Sequence, residues 1–169
     1  PLRHPLIFYY GHTAVFFINK LNVAKLISAR VDTHIESMLA IGVDEMSWDD
    51  MDETHYHWPS PLQVKIYRGK VRSLVNDFIT ENDPTLPINW SSPFWIILMG
   101  IEHERIHLET SSVLIRQLPL KYVVPAPNFG ECNERGEYDE SPKNALHPVP
   151  ARTITQGKDN GAKSFSWDN

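Results

Sequence analysis

Cysteine, long apolar runs and excess basic charge are all scarce in this sequence, and each scarcity excludes a class of protein. The single cysteine, Cys132, cannot close an internal disulfide, which excludes a small secreted scaffold held together by cystines. No apolar run reaches the ~18 residues of a membrane span, and the N-terminal region lacks the basic start and apolar core of a signal peptide. We therefore predict a cytoplasmic protein without a membrane partner.

The charge balance and the composition narrow the class further. The 21 acidic residues outnumber the 16 basic ones, and the net charge of −5 disfavours binding to a nucleic-acid backbone. With 41% hydrophobic and 22% charged residues and no low-complexity tract, the chain has the composition of a folded globular domain. Because it begins at Pro1 and ends on Trp167-Asp168-Asn169 without a closing element, we expect a fragment of a longer protein.

Hydrophobic periodicity predicts three long helices and a short one in the first part of the chain. Asp32 is the expected N-cap of the short helix, and Pro61 suits the first position of the second long helix. Long helices with short connections favour an all-α, up-and-down bundle, whose usual closed form has four helices. We therefore expect a further long helix upstream of Pro1. The predicted helices cover residues 9–30, 32–41, 61–81 and 91–118.

The remaining segments show no helical pattern. The acidic and aromatic stretch from Asp44 to Trp58 is predicted to be an ordered loop, because aromatic residues are sparse in disordered linkers. Residues 119–169 are rich in proline and glycine, and only Lys121–Val124 and Ala151–Thr155 have a strand-like pattern. The C-terminal part is therefore predicted to be irregular or the beginning of a β structure.

The densest chemical signal lies in the last long helix. His103 and His107 are four residues apart, so their side chains lie only ~40° apart around the helix axis. Both interrupt an apolar stripe, and two imidazoles one turn apart can place two nitrogens on one metal ion, as in the two-histidine helix of metalloproteases. The alternative is a pair of core histidines satisfied by hydrogen bonds. The surrounding glutamates favour metal binding.

A metal ion needs a third ligand. Glu109 is ~200° from His107 around the helix, so it points away and suits a supporting role behind the ligands or a surface ion pair. His12 lies on the apolar stripe of the first helix and is the better candidate, with His55 and His57 competing from the loop. Three neutral imidazoles leave coordination positions open, which is typical of catalytic sites. Zinc, iron and nickel all accept imidazole, so the ligands alone do not select the metal.

Three segments resemble one enzyme family, the sulfoxide synthases of thiohistidine biosynthesis. They are HPLIFYYGH at residues 4–12, VDEMSWDD at residues 43–50, and HERIHLE at residues 103–109, which has the family's His-x-x-x-His-x-Glu form. The residues of these segments are most similar to those of the ovothiol branch, the 5-histidylcysteine sulfoxide synthases. The ergothioneine and selenoneine branches are near relatives. The resemblance covers roughly residues 1–125.

The resemblance implies a fold, a cofactor and a reaction. Residues 1–120 would form a DinB-like bundle with a non-haem iron(II) site at His12, His103 and His107. Residues 121–169 would be a linker and the start of a truncated domain like the formylglycine-generating enzyme. The reaction would join cysteine to the imidazole ring of histidine with O₂, forming a C–S bond and a sulfoxide. Because the catalytic tyrosine of relatives lies in that second domain, we expect this chain alone to be inactive.

The sequence does not decide which residues bind the substrate, and it leaves two other functions as alternatives. Arg68 and Arg72, one turn apart beside Tyr67, could receive a substrate carboxylate, or they could form a solvated basic face. A zinc- or nickel-dependent thiol transferase on a DinB-like bundle is a second candidate. A helical interaction domain without catalysis is a third, and nothing in the sequence predicts the oligomeric state.

Overall fold

The computed structural model describes residues 4–40, 57–127, 145–159, 161–162 and 165–166. In these ranges the fold is all-α, as predicted, and no strand is present. None of the described helices has the length and hydropathy of a bilayer-spanning segment. The elements are α1 (Leu6–Val23), α2 (Thr33–Leu39), α3 (Pro61–Glu81), α4 (Phe94–Arg116) and a 3₁₀ turn (Leu120–Tyr122). Most of the predicted acidic loop, together with residue 41 at the predicted end of the short helix, lies outside the described residues.

Helix α1 is the centre of the fold. It packs against α2, α3 and α4, which meet one another much less. Its side chains Val15, Ile18 and Leu21 are completely buried. A helix buried on several sides must be apolar around most of its circumference, and α1 has this character. The buried polar side chain of His12 is therefore an exception within an apolar element.

The starts of α2 and α3 agree with the capping signals in the sequence. The Asp32 carboxylate accepts hydrogen bonds from the backbone N–H groups of His34 and Ile35, at 3.1 and 3.0 Å. Ser60 and Gln63 form a reciprocal capping box, with Pro61 in the first turn. These contacts satisfy N–H groups that have no partner inside the helix, so local chemistry fixes both starts.

The end of α1 differs from the prediction. The helix ends at Val23, and residues 24–30 do not continue it. Lys25 has φ 57°, in the left-handed region, and the Leu26 N–H bonds to the Leu21 carbonyl at 2.9 Å. This is a Schellman ending, with the Leu26 side chain packed on the cluster that contains Leu21. Because such endings usually carry glycine, a lysine at this position gives no sequence signal.

Two predicted strands are also absent from the described residues. Lys121–Val124 overlaps the 3₁₀ turn, and Ala151–Thr155 has no regular secondary structure. Both segments are mostly exposed. A strand is stable only when another strand completes its hydrogen bonds, and periodicity cannot show whether such a partner exists.

Two glycines bring neighbouring elements close to the histidines. A Cβ atom at Gly11 would overlap the Leu39 side chain, and a Cβ atom at Gly100 would overlap the ring of Phe17. Gly11 therefore allows α2 to approach α1, and Gly100 allows α1 to approach α4. Each glycine lies within three residues of a histidine, so the close contacts are made next to the imidazoles.

We predict that Gly100→Ala destabilises the protein by about 1–3 kcal/mol, the usual cost of overpacking a core, because the new methyl group displaces Phe17. Gly69→Ala is the matched control. Gly69 lies on the exposed side of α3, and a methyl group there would have no neighbouring atom within 4 Å, so alanine should stabilise by about 0.5–1 kcal/mol. Urea unfolding of both variants measures the two changes, and equal effects would contradict the close packing at Gly100.

Candidate metal centre

His12 is held by a hydrogen bond from its own ring. The side chain is 4% exposed, and its Nδ1 atom lies 2.8 Å from the backbone carbonyl oxygen of Leu39 at the end of α2. A carbonyl oxygen can only accept, so Nδ1 carries the proton and donates. The other ring nitrogen, Nε2, is then unprotonated and has a lone pair available. The contact between α1 and α2 therefore fixes the tautomer of His12.

His103 and His107 meet His12 from α4. Their Nε2 atoms are 3.2 Å apart, and the three histidines can each offer a nitrogen within 4.8 Å of the other two. Two imidazole nitrogens bound to one ion at ~2.1 Å are separated by roughly 3.0–3.4 Å. The spacing of the α4 pair is thus already that of two ligands on one metal.

Aromatic rings cover the faces of two of the imidazoles. The Phe16 ring stacks on His103 with centroids 3.8 Å apart and an interplanar angle of 11°, and Phe8 stacks on His12 at 4.7 Å and 26°. Tyr9 lies farther from His107, at 6.1 Å. The stacked rings restrict rotation of His12 and His103 and exclude water from one side of the cluster.

The Nδ1 atoms of His103 and His107 are buried and have no hydrogen-bond partner among the described residues. The two Nε2 atoms lie within hydrogen-bond distance of each other, so hydrogen bonds satisfy at most one nitrogen of each ring, whereas buried polar atoms in folded proteins are usually paired. An unpaired buried nitrogen is costly, so its presence in a folded protein calls for an explanation such as a chemical role or a bound ion. The donor set is therefore compatible with a bound cation.

Burial keeps the imidazoles neutral. Desolvation lowers the pKa of His12 to about 4, although the hydrogen bond to the Leu39 carbonyl opposes this change. Desolvation, with a further contribution from His107, lowers the pKa of His103 to about 3. It also lowers the pKa of His107, against the effect of the nearby Glu104 carboxylate. Neutral imidazole is the form that binds metal, so the cluster is ready to bind at neutral pH.

Two other predicted participants lie apart from the cluster. Glu109 is exposed on α4 and has no hydrogen bond or ion pair with the three histidines. His57 is exposed beside Trp58 and lines a separate cavity with His34, so it does not join the group. The competing residue His55 lies outside the described part of the chain.

The predicted substrate-binding residues are divided between two sides of α3. Arg68 and Arg72 line a cavity of about 390 Å³ together with Glu104. Tyr67 is not beside them, contrary to the expectation from sequence: it is buried, and its hydroxyl donates to Glu36 at 3.3 Å. Residues 67 and 68 differ by ~100° around a helix, which separates their side chains.

Arg68 is fixed between α1 and α4. One guanidinium nitrogen donates to the Tyr10 carbonyl at 2.7 Å and to the Thr13 hydroxyl at 3.0 Å, and the other lies 3.7 Å from Glu104. A second cavity, of about 300 Å³, is lined by Arg68, Glu104 and His107. The arginine therefore lies on a surface that leads to the histidine cluster.

Several contributors to this site cannot be identified from the sequence. The Leu39 carbonyl is a backbone group, so no residue type marks it. Phe16 belongs to the apolar face of the first helix, but its stacking on His103 depends on the packing of α1 against α4. The glycine at position 100, three residues before His103, is the available signal for close packing.

We predict that the metal-free protein loses stability as the pH falls from about 6.5 toward 4. The folded pKa values of His12 and His103 lie below the unfolded value, so the unfolded chain binds more protons in this range. The stabilisation is complete above the unfolded pKa and is lost at lower pH. Urea unfolding between pH 7 and 5 should show this slope, reduced in His12→Gln and unchanged in the exposed control His34→Gln. A slope that is the same in both variants would contradict the assignment.

Comparisons with known proteins place the chain beside two fungal proteins, whereas no protein-family model matches it. It is 26% identical over 183 residues to ergothioneine biosynthesis protein 1 of Neurospora crassa, covering 99% of this chain and 20% of that protein. It is 34% identical over 120 residues to the Schizosaccharomyces pombe protein of the same name, covering 66% of this chain and 15% of that protein. The chain thus spans at most about a fifth of these curated relatives, both of which are named for ergothioneine biosynthesis, and its similarity to the Neurospora crassa protein extends along nearly its whole length.

Proposed function

We propose that this chain is the metal-binding helical part of an iron(II)- and O₂-dependent sulfoxide synthase of thiohistidine biosynthesis. The observation that carries the proposal is the convergence of His12, His103 and His107 from two helices into one group of neutral nitrogens. The similarity to two proteins named for ergothioneine biosynthesis supports the same pathway type.

The three imidazoles suit a catalytic iron(II) ion. They carry no charge, so a bound divalent ion would keep its full positive charge and attract an anionic thiolate. Three protein ligands also leave positions for other molecules. When bound, iron(II) supplies the activation of O₂ and an attachment point for the cysteine sulfur.

The protein's own groups have separate tasks in this proposal. The Leu39 carbonyl holds the Nδ1 proton of His12 and orients its ring, while Phe16 holds the ring of His103. Arg68 and Arg72 offer planar donors for the α-carboxylate of an amino-acid substrate. Holding the reactants near one point lowers the entropic part of the barrier. Glu109 would support the ligands without binding the metal ion itself.

The finer assignment follows the motif resemblance. We propose that cysteine, histidine and O₂ are the substrates, as in the ovothiol branch, and that the ergothioneine-type reaction is the nearest alternative. Residues 1–120 would form the DinB-like unit, and residues 121–169 would lead into a domain like the formylglycine-generating enzyme that contributes the catalytic tyrosine. A cytoplasmic location, without a nucleic-acid or membrane partner, completes the proposal.

The segment from His103 to His107 also has the His-Glu-x-x-His form of zinc peptidases, which makes peptide hydrolysis a formal alternative. In that motif the glutamate acts as a general base at the metal. Here the Glu104 carboxylate lies 3.7 Å from Arg68, on the surface that leads toward α3. Because Glu104 also lines the cavity beside His107, its position does not decide between the two functions, and the two comparisons are what favour the sulfoxide synthase.

The first test is the metal content of the protein purified without oxygen. We predict about one iron per chain, and its loss in His12→Ala, His103→Ala and His107→Ala, because two imidazoles alone bind a divalent ion much more weakly. Glu109→Ala is the matched control on α4 and should lose less. Iron content in His12→Ala equal to that of the wild type would remove His12 from the site, and stoichiometric zinc or nickel in place of iron would favour a thiol transferase.

A second test addresses the carboxylate site. In the iron-loaded protein we predict that Arg68→Gln weakens cysteine binding by roughly tenfold or more, the effect of losing a charge-assisted hydrogen bond. Binding of cysteamine, which lacks the carboxylate, should not change. Arg105→Gln, which alters an exposed arginine paired with Glu102, is the control. Equal losses for cysteine and cysteamine would show that Arg68 supports the fold and does not recognise the carboxylate.

A further inference from the structure

Helix α2 is too short to be stable without tertiary support. It has seven residues, whereas isolated helices shorter than about 12 residues are marginal in water. Its last residue nevertheless supplies the carbonyl that accepts the hydrogen bond from His12. The position of that carbonyl therefore depends on tertiary contacts: the packing of the Leu39 side chain against Gly11 and the polar contacts that the rest of α2 makes.

Glu36 is the most strongly bound residue of α2. Its side chain is 1% exposed, and one carboxylate oxygen accepts from the backbone N–H groups of Val31 and Asp32, both at 3.0 Å. The same oxygen accepts from the Tyr67 hydroxyl at 3.3 Å, and the other accepts from Arg30 at 2.9 Å. A buried carboxylate that accepts four hydrogen bonds is held in one position by the surrounding structure.

These hydrogen bonds connect three parts of the fold. Tyr67 belongs to α3, and Arg30 also donates to Asn19 of α1 at 2.7 Å. The burial of Tyr67 and the nearby Glu36 charge raise the pKa of its hydroxyl, which therefore stays protonated as a donor. Glu36 thus fixes α2 to α1 and α3 one turn before Leu39.

We propose that Glu36 is a positioning residue for the metal centre. By holding α2 in place it keeps the Leu39 carbonyl within hydrogen-bond distance of His12, which fixes the ring in the Nδ1–H tautomer with Nε2 toward His103 and His107. The part that concerns metal affinity rests on the proposed function, whereas the part that concerns the tautomer does not. Groups that orient a metal-binding histidine typically change the affinity for metal by roughly 10- to 100-fold when altered.

The tautomer is the readout that separates positioning from general stability. In the full chain, free of metal and labelled with ¹⁵N-histidine, two-bond ¹H–¹⁵N spectra distinguish Nδ1–H from Nε2–H rings. We expect His12 to be a single Nδ1–H tautomer in the wild type and a mixture in Glu36→Gln, because the amide places a donor against Arg30. Val71→Ala is the control, since it shortens a buried side chain of α3 and leaves every hydrogen bond of Glu36 intact.

The second readout is Co²⁺ affinity by spectroscopic titration. We expect Glu36→Gln to bind Co²⁺ roughly 10- to 100-fold more weakly than the wild type, and Val71→Ala to bind it equally well. Tyr67→Phe removes one donor only and should give a smaller loss, which keeps the test decisive if Glu36→Gln does not fold. An unchanged tautomer, or an affinity no lower than in Val71→Ala, would overturn the proposal. A wild type that binds no metal would refute the proposed function, and the tautomer would still test the role of Glu36.

Discussion

The close packing of α1 against α4 is the constraint on which the rest of the site depends. Helix axes are ordinarily about 8–10 Å apart, and an imidazole from each side must reach the same point between them. Gly100 permits the ring of Phe17 to lie against the backbone of α4. With the helices held in this way, His12 comes within ligand distance of His103 and His107, and water is largely excluded from His12.

Burial of the three imidazoles also keeps them neutral. The same desolvation that makes a charged imidazole unfavourable keeps the three nitrogens available to a cation. The histidines are not held in the same way. A hydrogen bond to the Leu39 carbonyl fixes His12, whereas the stacked ring of Phe16 fixes His103. The protein therefore orients His12 by a hydrogen bond and His103 by packing. Glu36 and α2 keep the carbonyl that accepts the hydrogen bond from His12 in place.

Sequence patterns predict those features that are decided locally. The cap at Asp32, the start of α3 at Pro61 and the one-turn spacing of His103 and His107 are each determined within a few residues, and the structure confirms all three. His12 stands out in the sequence because a lone histidine on an apolar stripe needs an explanation, and the structure brings it to the α4 pair.

The features that sequence reasoning misses depend on tertiary contacts or on unusual backbone geometry. The left-handed conformation of Lys25 ends α1 early without a glycine to signal it. Tyr67 and Arg68 are adjacent in sequence, but a helix separates adjacent side chains, and Glu36 holds Tyr67 on the other side. The Leu39 carbonyl cannot be identified in advance, since any residue type would provide it.

X-ray absorption spectroscopy of the iron-loaded chain tests the central claim most directly. Our account expects three imidazole nitrogens at roughly 2.1 Å from the iron, with the remaining positions filled by oxygen donors from solvent. It also expects the number of imidazole ligands to fall to two in His12→Ala. A spectrum with fewer than three imidazoles in the wild type, or one unaltered by removal of His12, would contradict it.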